Sequence, residues 1–307
     1  MLNVTVIFLS SRDVDEIMTP ELAVRSSRLA FSWFSKGQVS QPRRQVLTVN
    51  GNWWGIMPSY GSEVFSLKVV NVIEGNRQRG LPTINGLVLL MSAHDGSPLA
   101  IIDGPTLTAW RTAAASVLST ELVMGRKVGT MGIVGAGTQA KYHHRVATGY
   151  LNVDQVLITA RKGHLSLAKE LGASPVEGDT LFKRADVVFA ATSSTVPVVR
   201  GALLKDQFHV CSVGAHTMDS RELDDDTIRR TSTFLVDSLE AVSHESGDFK
   251  RATELGIRVM EIGRALEGGK IERPTVFKTV GIAAQDLAAA LLLYQEAQRK
   301  GAGKVLE

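Results

Sequence analysis

The chain has 307 residues, 44% hydrophobic and 21% charged, enough for one large or two medium globular domains. A formal net charge of +3 without basic blocks argues against nucleic-acid and membrane-surface partners. A single cysteine, Cys211, excludes a disulfide framework, and no apolar run approaches the roughly 20 residues that span a bilayer.

Thr5–Leu9 reads as a strand. It is too short for the apolar region of a signal peptide and lacks a basic flank, so a cytoplasmic protein is expected. The Asn3-Val4-Thr5 sequon should then be idle. Ser11 is placed to cap a short helix over 13–18, and Pro20 opens a longer one over 21–33. Strand-like runs follow at 46–49, 53–57, 65–72 and 87–91, and Asp95-Gly96 turns the chain back into a strand at 99–102. The first hundred residues thus read as an α+β unit with an antiparallel sheet. A long alanine-rich helix over 106–124 leads out of it.

From Val128 the pattern alternates strand and helix. Strands are expected at 130–134, 156–159, 187–191, 209–213, 233–236 and 275–278. Helices are expected at 138–150, 165–171, 180–185, 224–229 and 252–255, with a last one at 283–300. Alternation of this kind predicts an α/β fold: a Rossmann doubly wound parallel sheet. The expected domains are 1–117, completed by 283–307, for substrate binding and dimerisation, and 118–282 for a dinucleotide. Cys211 falls in an apolar strand and reads as a buried structural thiol. His143 and His144 read as helix-surface residues, and no His/Asp/Glu cluster has metal spacing.

The second unit is organised around Gly135-Ala136-Gly137-Thr138-Gln139-Ala140, a G-x-G-x-x-A turn between strand and helix. Gly135 permits the sharp turn, Gly137 lets backbone N–H groups approach a pyrophosphate, and Ala140 permits close helix–strand packing. About 20 residues later, where a carboxylate would bind the ribose of NAD, stand Arg161 and Lys162. Two cations there favour the 2′-phosphate of NADPH, with NADH second. The bland alternative is a pair of solvated loop cations. Further cofactor contacts are expected where strands end at Thr192 and at Val213, Gly214 and His216.

Ordered motifs along nearly the whole chain resemble the ornithine cyclodeaminase/mu-crystallin family. They include Gln41-Pro42-Arg43-Arg44, Met57-Pro58, Leu67-Lys68-Val69-Val70, Leu107 to Ala114 and the glycine loop. Asp219 to Asp225, Thr275 to Gly281 and Gln285-Asp286 complete the set. The resemblance implies a homodimer built through the N-terminal domain, a nicotinamide cofactor, and an amino or imino acid between the domains. By motif it assigns Arg44, Lys68 and Arg111 to the substrate carboxylate, with Met57 and Val280 beside the substrate. It assigns Thr83, Thr112, Thr138, Gln139, Thr192, Val213 and Thr279 to the cofactor.

The chemistry of the residues agrees. An arginine fork fixes a carboxylate bidentately and so orients an adjacent C=N bond. Lys68 interrupts an apolar strand and Arg111 an Ala/Thr/Ser helix, although each alone could be a surface cation. Arg43 is the local decoy for Arg44. Clustered and desolvated, Lys68 should have a pKa lowered toward neutrality and could protonate an imine nitrogen; a purely electrostatic lysine is the alternative.

One position departs from the founding activity. Ornithine cyclodeaminases carry an aspartate where this chain has His216, and a histidine is a poor partner for a side-chain ammonium. His216 could be a lid residue, a proton donor or a spacer. The expected reaction is therefore NADPH-dependent reduction of cyclic ketimine carboxylates, Δ1-pyrroline-2-carboxylate or Δ1-piperideine-2-carboxylate, to L-proline or L-pipecolate. Alternatives are an alanine-type dehydrogenase, then an ornithine cyclodeaminase or a weakly catalytic binding protein.

Overall fold

The computed structural model describes residues 5–306, so Asn3 of the sequon lies outside the described residues. The chain divides into two compact units. The first runs to Arg111 and resumes at Ile282; the second is Thr112–Gly281. The sequence set this boundary at 117/118. Both positions fall inside one unbroken helix, so nothing local marks either.

The first unit contains β1 (Val6–Leu9), α1 (Ser11–Ile17), α2 (Pro20–Ser35), β2 (Val39–Ser40) and β3 (Gln45–Val49). It continues with β4 (Asn52–Gly61), β5 (Val64–Val72), β6 (Ile84–Ser92), β7 (Pro98–Asp103) and the start of α3 (Gly104–Met124). The cap of α1 is Ser10, one residue before the expected Ser11. Ser10 Oγ accepts from Asp13 N while Asp13 Oδ2 accepts from Ser10 N, a reciprocal capping box. Thr19 caps α2, whose first residue is Pro20.

The sheet is mixed rather than antiparallel. β4 to β7 form antiparallel neighbours, but β1 lies parallel to β7, and β16 (Lys304–Leu306) closes the edge antiparallel to β1. At the opposite edge β2 and β3 both pair with β4, leaving Met57, Pro58 and Ser59 unpaired between them. Pro58 has no N–H to offer a ladder, which suits that gap. The chain bulges there through Gln41–Arg44. Gln41 Oε1 then accepts from Ala284 N and caps α11 (Ala283–Lys300).

The second unit begins with the rest of α3. Leu107 and Ala109–Thr120 are buried, so this helix is enclosed on every side, as its all-round apolar composition requires. Then follow β8 (Lys127–Val134), α4 (Thr138–Tyr150), β9 (Asn152–Thr159), α5 (His164–Leu171), β10 (Ser174–Pro175) and α6 (Gly178–Arg184). After them come β11 (Val187–Ala190), β12 (His209–Ser212), α7 (Asp225–Arg229), β13 (Thr233–Val236), α8 (Leu239–Glu245) and α9 (Gly247–Glu254). β14 (Val259–Glu261), α10 (Ile262–Leu266) and β15 (Thr275–Lys278) complete the unit.

All strand pairs here are parallel, in the order β10-β9-β8-β11-β12-β15-β13-β14. Strand order reverses beside β8, so the crevice outside the carboxyl ends of β8 and β11 is the ligand position this topology provides.

His143 corrects a sequence expectation. It is fully buried, its Nδ1 2.7 Å from the Gln139 carbonyl and its Nε2 3.0 Å from Ser116 Oγ, with the ring 5.2 Å from that of Phe189. Burial pushes its pKa down to about 4, and burial with the Arg273 charge takes His209 down to about 3. Cys211 is a buried thiol raised by burial to about 12 and is unreactive.

Candidate active site

In the first unit, three distant segments converge on one carboxylate. Lys68 stands on β5, opposite Met57 of β4 and Val88 of β6. Alternation along these strands turns all three side chains to one face, and all three are buried. Lys68 Nζ donates to Asp286 Oδ1 of α11 at 3.1 Å. Arg111 Nε of α3 lies 3.3 Å from the same oxygen, and Arg111 Nη1 donates to Gln285 Oε1 at 3.4 Å. Lys68 is 2% exposed, Arg111 6% and Asp286 1%.

Arg44 sits half-buried at the start of β3, its guanidinium 6.0 Å from the Trp53 ring centre. Arg43 beside it is exposed, which separates the decoy from the candidate. Burial lowers the Lys68 ammonium to about 8; Asp286 opposes the shift, while Arg111 and Arg44 add to it. Two buried cations share one carboxylate, and a third acts on them from close by. That excess of positive charge in a dry site favours an anionic ligand. Thr83, half-buried just ahead of β6, accepts from Ile73 N through its carbonyl.

In the second unit the cofactor candidates gather at the carboxyl edge of the parallel sheet. Gly135 follows β8 with φ +129°, and a Cβ there would collide with the Ala191 carbonyl. Gly137 caps α4 with no side chain over it, and a Cβ would meet nothing. The N–H groups of Thr138, Gln139 and Ala140 in the first turn are thus open to a phosphate. Gln139 Oε1 is buried and finds no partner among the described residues. These features fit a dinucleotide pyrophosphate. Arg161 and Lys162 lie exposed where β9 ends, and Gly163 next to them comes against Ala136 of the glycine loop.

Thr192 leaves β11, Val213 and Gly214 leave β12, and Thr279 and Val280 leave β15, all at this edge. Thr112 lies buried on α3. His216 is exposed, with Nδ1 2.9 Å from the Gly214 carbonyl.

Two carboxylates that sequence reading missed hold these loops. Glu222, fully buried, accepts from Thr192 N at 2.9 Å, Thr192 Oγ1 at 2.8 Å, Ser212 Oγ at 2.8 Å and Gly214 N at 2.8 Å. Asp237, at the end of β13, accepts from Thr279 Oγ1 at 2.6 Å, Val280 N at 2.9 Å and Gly281 N at 2.7 Å. The available signal was a carboxylate immediately after or between apolar runs, as in Phe234-Leu235-Val236-Asp237. Asp286, which opens the run from Leu287 to Leu293, carries the same signal. Phe277 is fully buried in β15.

Known proteins share this chain's sequence pattern and fold. The ketimine reductase mu-crystallin of Mus musculus is 34% identical over 307 aligned residues, covering 94% of this chain and 96% of the mouse protein. The solved Δ1-pyrroline-2-carboxylate reductase of Thermococcus litoralis, in complex with NADH and L-proline, superposes with a TM-score of 0.88 at 30% identity. That match covers 97% of this chain and 99% of that one. An archaeal alanine dehydrogenase dimer with bound NAD gives 0.89 at 26% identity, covering 99% of both chains. The sequence pattern of the ornithine cyclodeaminase/mu-crystallin family matches residues 4–301, and this protein belongs to that family.

Proposed function

We propose that this protein reduces cyclic 2-imino acids, Δ1-pyrroline-2-carboxylate and Δ1-piperideine-2-carboxylate, to L-proline and L-pipecolate with NADPH ahead of NADH. The observation that carries this reading is the buried Lys68–Arg111–Asp286 cluster with Arg44 beside it. The names of the mouse and Thermococcus relatives support the same substrate class.

The residues divide the work in a definite way. Arg111 and Arg44 take the substrate carboxylate, and Met57 walls the site opposite Lys68. Such anchoring turns one face of the adjacent C=N carbon toward the hydride donor. A bound dihydronicotinamide supplies the hydride. Gly137 and the first turn of α4 would hold its pyrophosphate, with Thr192, Gly214, Thr279 and Val280 as further contacts. Lys68, with a pKa near 8, is largely protonated at neutral pH yet acidic enough to give its proton to the imine nitrogen. Hydride to C2 and proton to nitrogen together convert C=N to CH–NH, and solvent returns a proton to Lys68. His216 offers no carboxylate for a substrate's distal amine, which disfavours the cyclodeaminase reaction.

An alanine-type dehydrogenase is the second reading, favoured by the fold match to the archaeal enzyme. The test measures NADPH and NADH oxidation with each cyclic imine and with pyruvate plus ammonia, followed by chiral analysis of product. Turnover with pyruvate and ammonia but not with cyclic imines rejects the first reading. Tight dinucleotide binding without turnover rejects both.

The same reading includes a homodimer. Leu47, Trp54, Tyr60 and Leu87 are exposed on the sheet face opposite Lys68, an apolar surface suited to a second copy. Leu47→Asp should convert the species seen by light scattering to monomer; an unchanged mass rejects that face.

A further inference from the structure

Asp286 makes an unusual contact for a simple counter-ion. Lys68 and Arg111 both address Oδ1, at 3.1 and 3.3 Å. Oδ2 is buried and receives no hydrogen bond among the described residues, and Gln285 Nε2 beside it in the chain donates none. A carboxylate serving only to neutralise two cations would give each an oxygen, because an unsatisfied buried acceptor costs about 1–3 kcal/mol. Here both cations are gathered onto one atom. They come from different elements, β5 and α3, and Asp286 on α11 is what draws them together.

We propose that Asp286 is a positioning residue for the proton donor: it keeps Lys68 in its ammonium form and aims it, with Arg111, at a common point. This rests on the reading of Lys68 as the acid. The charged groups that face Lys68 are Asp286 from α11, Arg111 from α3 and Arg44 from the start of β3. Burial, Arg111 and Arg44 all favour neutral amine, and Asp286 alone opposes them, by charge and by hydrogen bond. An opposite charge at such range shifts a pKa by roughly 1–3 units. Without Asp286, Lys68 would lose its proton near or below neutral pH and the acid step would fail.

The test uses full-length protein carrying lysine labelled with 13C at Cε, with Lys68→Arg identifying the resonance. Lys68 should titrate near 8 in the parent protein. In Asp286→Asn the midpoint should fall by at least about one unit, a tenfold change in the protonation equilibrium. Asp286→Glu should restore most of the shift. In steady-state assays Asp286→Asn should move the alkaline limb of the kcat profile down by the same amount. At pH 8 kcat should fall about fivefold or more, with a smaller change in KM for the imino acid.

An unchanged Lys68 midpoint in folded Asp286→Asn overturns the proposal, as does a kcat lowered equally at every pH. If Asp286→Asn does not fold, Asp286→Ser decides: a Lys68 midpoint lowered by at least about one unit supports the proposal, and one at the parent value overturns it. The titration needs no substrate. A failed substrate panel with a shifted midpoint therefore rejects the imine-reductase reading and leaves the role of Asp286 standing.

Discussion

Each unit buries a charged cluster, and the two are built on opposite principles. In the first, two cations share one oxygen of Asp286 while the other oxygen has no donor among the described residues. In the second, Glu222 and Asp248 surround Ser212 and Lys278. Lys278 Nζ lies 3.0 Å from Ser212 Oγ and 3.6 Å from Asp248, and also donates to the Ala215 carbonyl. Each oxygen of Glu222 takes two donors, and Asp248 accepts from Leu223 N at 3.1 Å and Glu222 N at 3.3 Å. A satisfied polar network rigidifies the backbone that feeds it. One with an excess of cations and an orphan acceptor is finished only by a ligand. The first cluster therefore reads as chemistry and the second as scaffold.

The largest effect should come from Lys68→Met. Removing a positioned general acid costs about 100- to 10,000-fold in kcat. Arg111 still pairs with Asp286 once the ammonium is gone, so no buried charge is left alone and the melting temperature should change little. A fall in melting temperature that accounts for the lost activity would make the first cluster structural and erase the contrast.

Glu222→Gln tests the other side. The new amide group faces donors from Thr192 or Gly214, so about 1–3 kcal/mol of stability should be lost in denaturant titrations. Dinucleotide affinity should fall with it, because the loops after β11 and β12 lose their common acceptor. Unaltered stability would show that the backbone holds these loops without the carboxylate.

The pH dependence of stability separates the units next. His143 and His209 are neutral in the folded second unit, with pKa values lowered to about 4 and about 3. In the unfolded chain they protonate near the ordinary 6.5. As pH falls below 6.5 the unfolded state gains protons that the native state refuses, so stability declines. The slope is about 1.4 kcal/mol per pH unit for each histidine, down to about 4 for His143. His209→Asn should flatten the acid slope by about half. An unchanged slope would mean that the His209 ring is not held neutral.

The smallest effect belongs to the exposed pair at the end of β9. Arg161→Ala should weaken NADPH about tenfold and NADH hardly at all, in a fluorescence titration at low salt. Equal loss for both dinucleotides would remove the basis for preferring NADPH.

Much of this was legible in the chain. Central parallel strands such as Val187–Ala190 and His209–Ser212 are buried on both faces and so appear as short continuous apolar runs between polar segments. The glycine loop was legible because each small residue answers a local steric demand. β10, β14, β16, α8 and α10 went unread, as each is too short to establish a period. The parallel placement of β1 beside β7 was also missed, because pairing across 93 residues (Ile7 to Ala100) leaves no local trace.

By itself, then, the sequence determined the alternation of elements, the dinucleotide turn and the isolated cations Lys68 and Arg111, all of which follow from local sterics and hydrophobic period. Only the tertiary structure decided what those cations meet. Asp286 lies 218 residues from Lys68 and 175 from Arg111, in the first turn of a helix where an acidic residue would otherwise read as a dipole partner. Burial and charge depend on which segments fold together, and it is burial, opposed by that one carboxylate, that brings Lys68 to about 8.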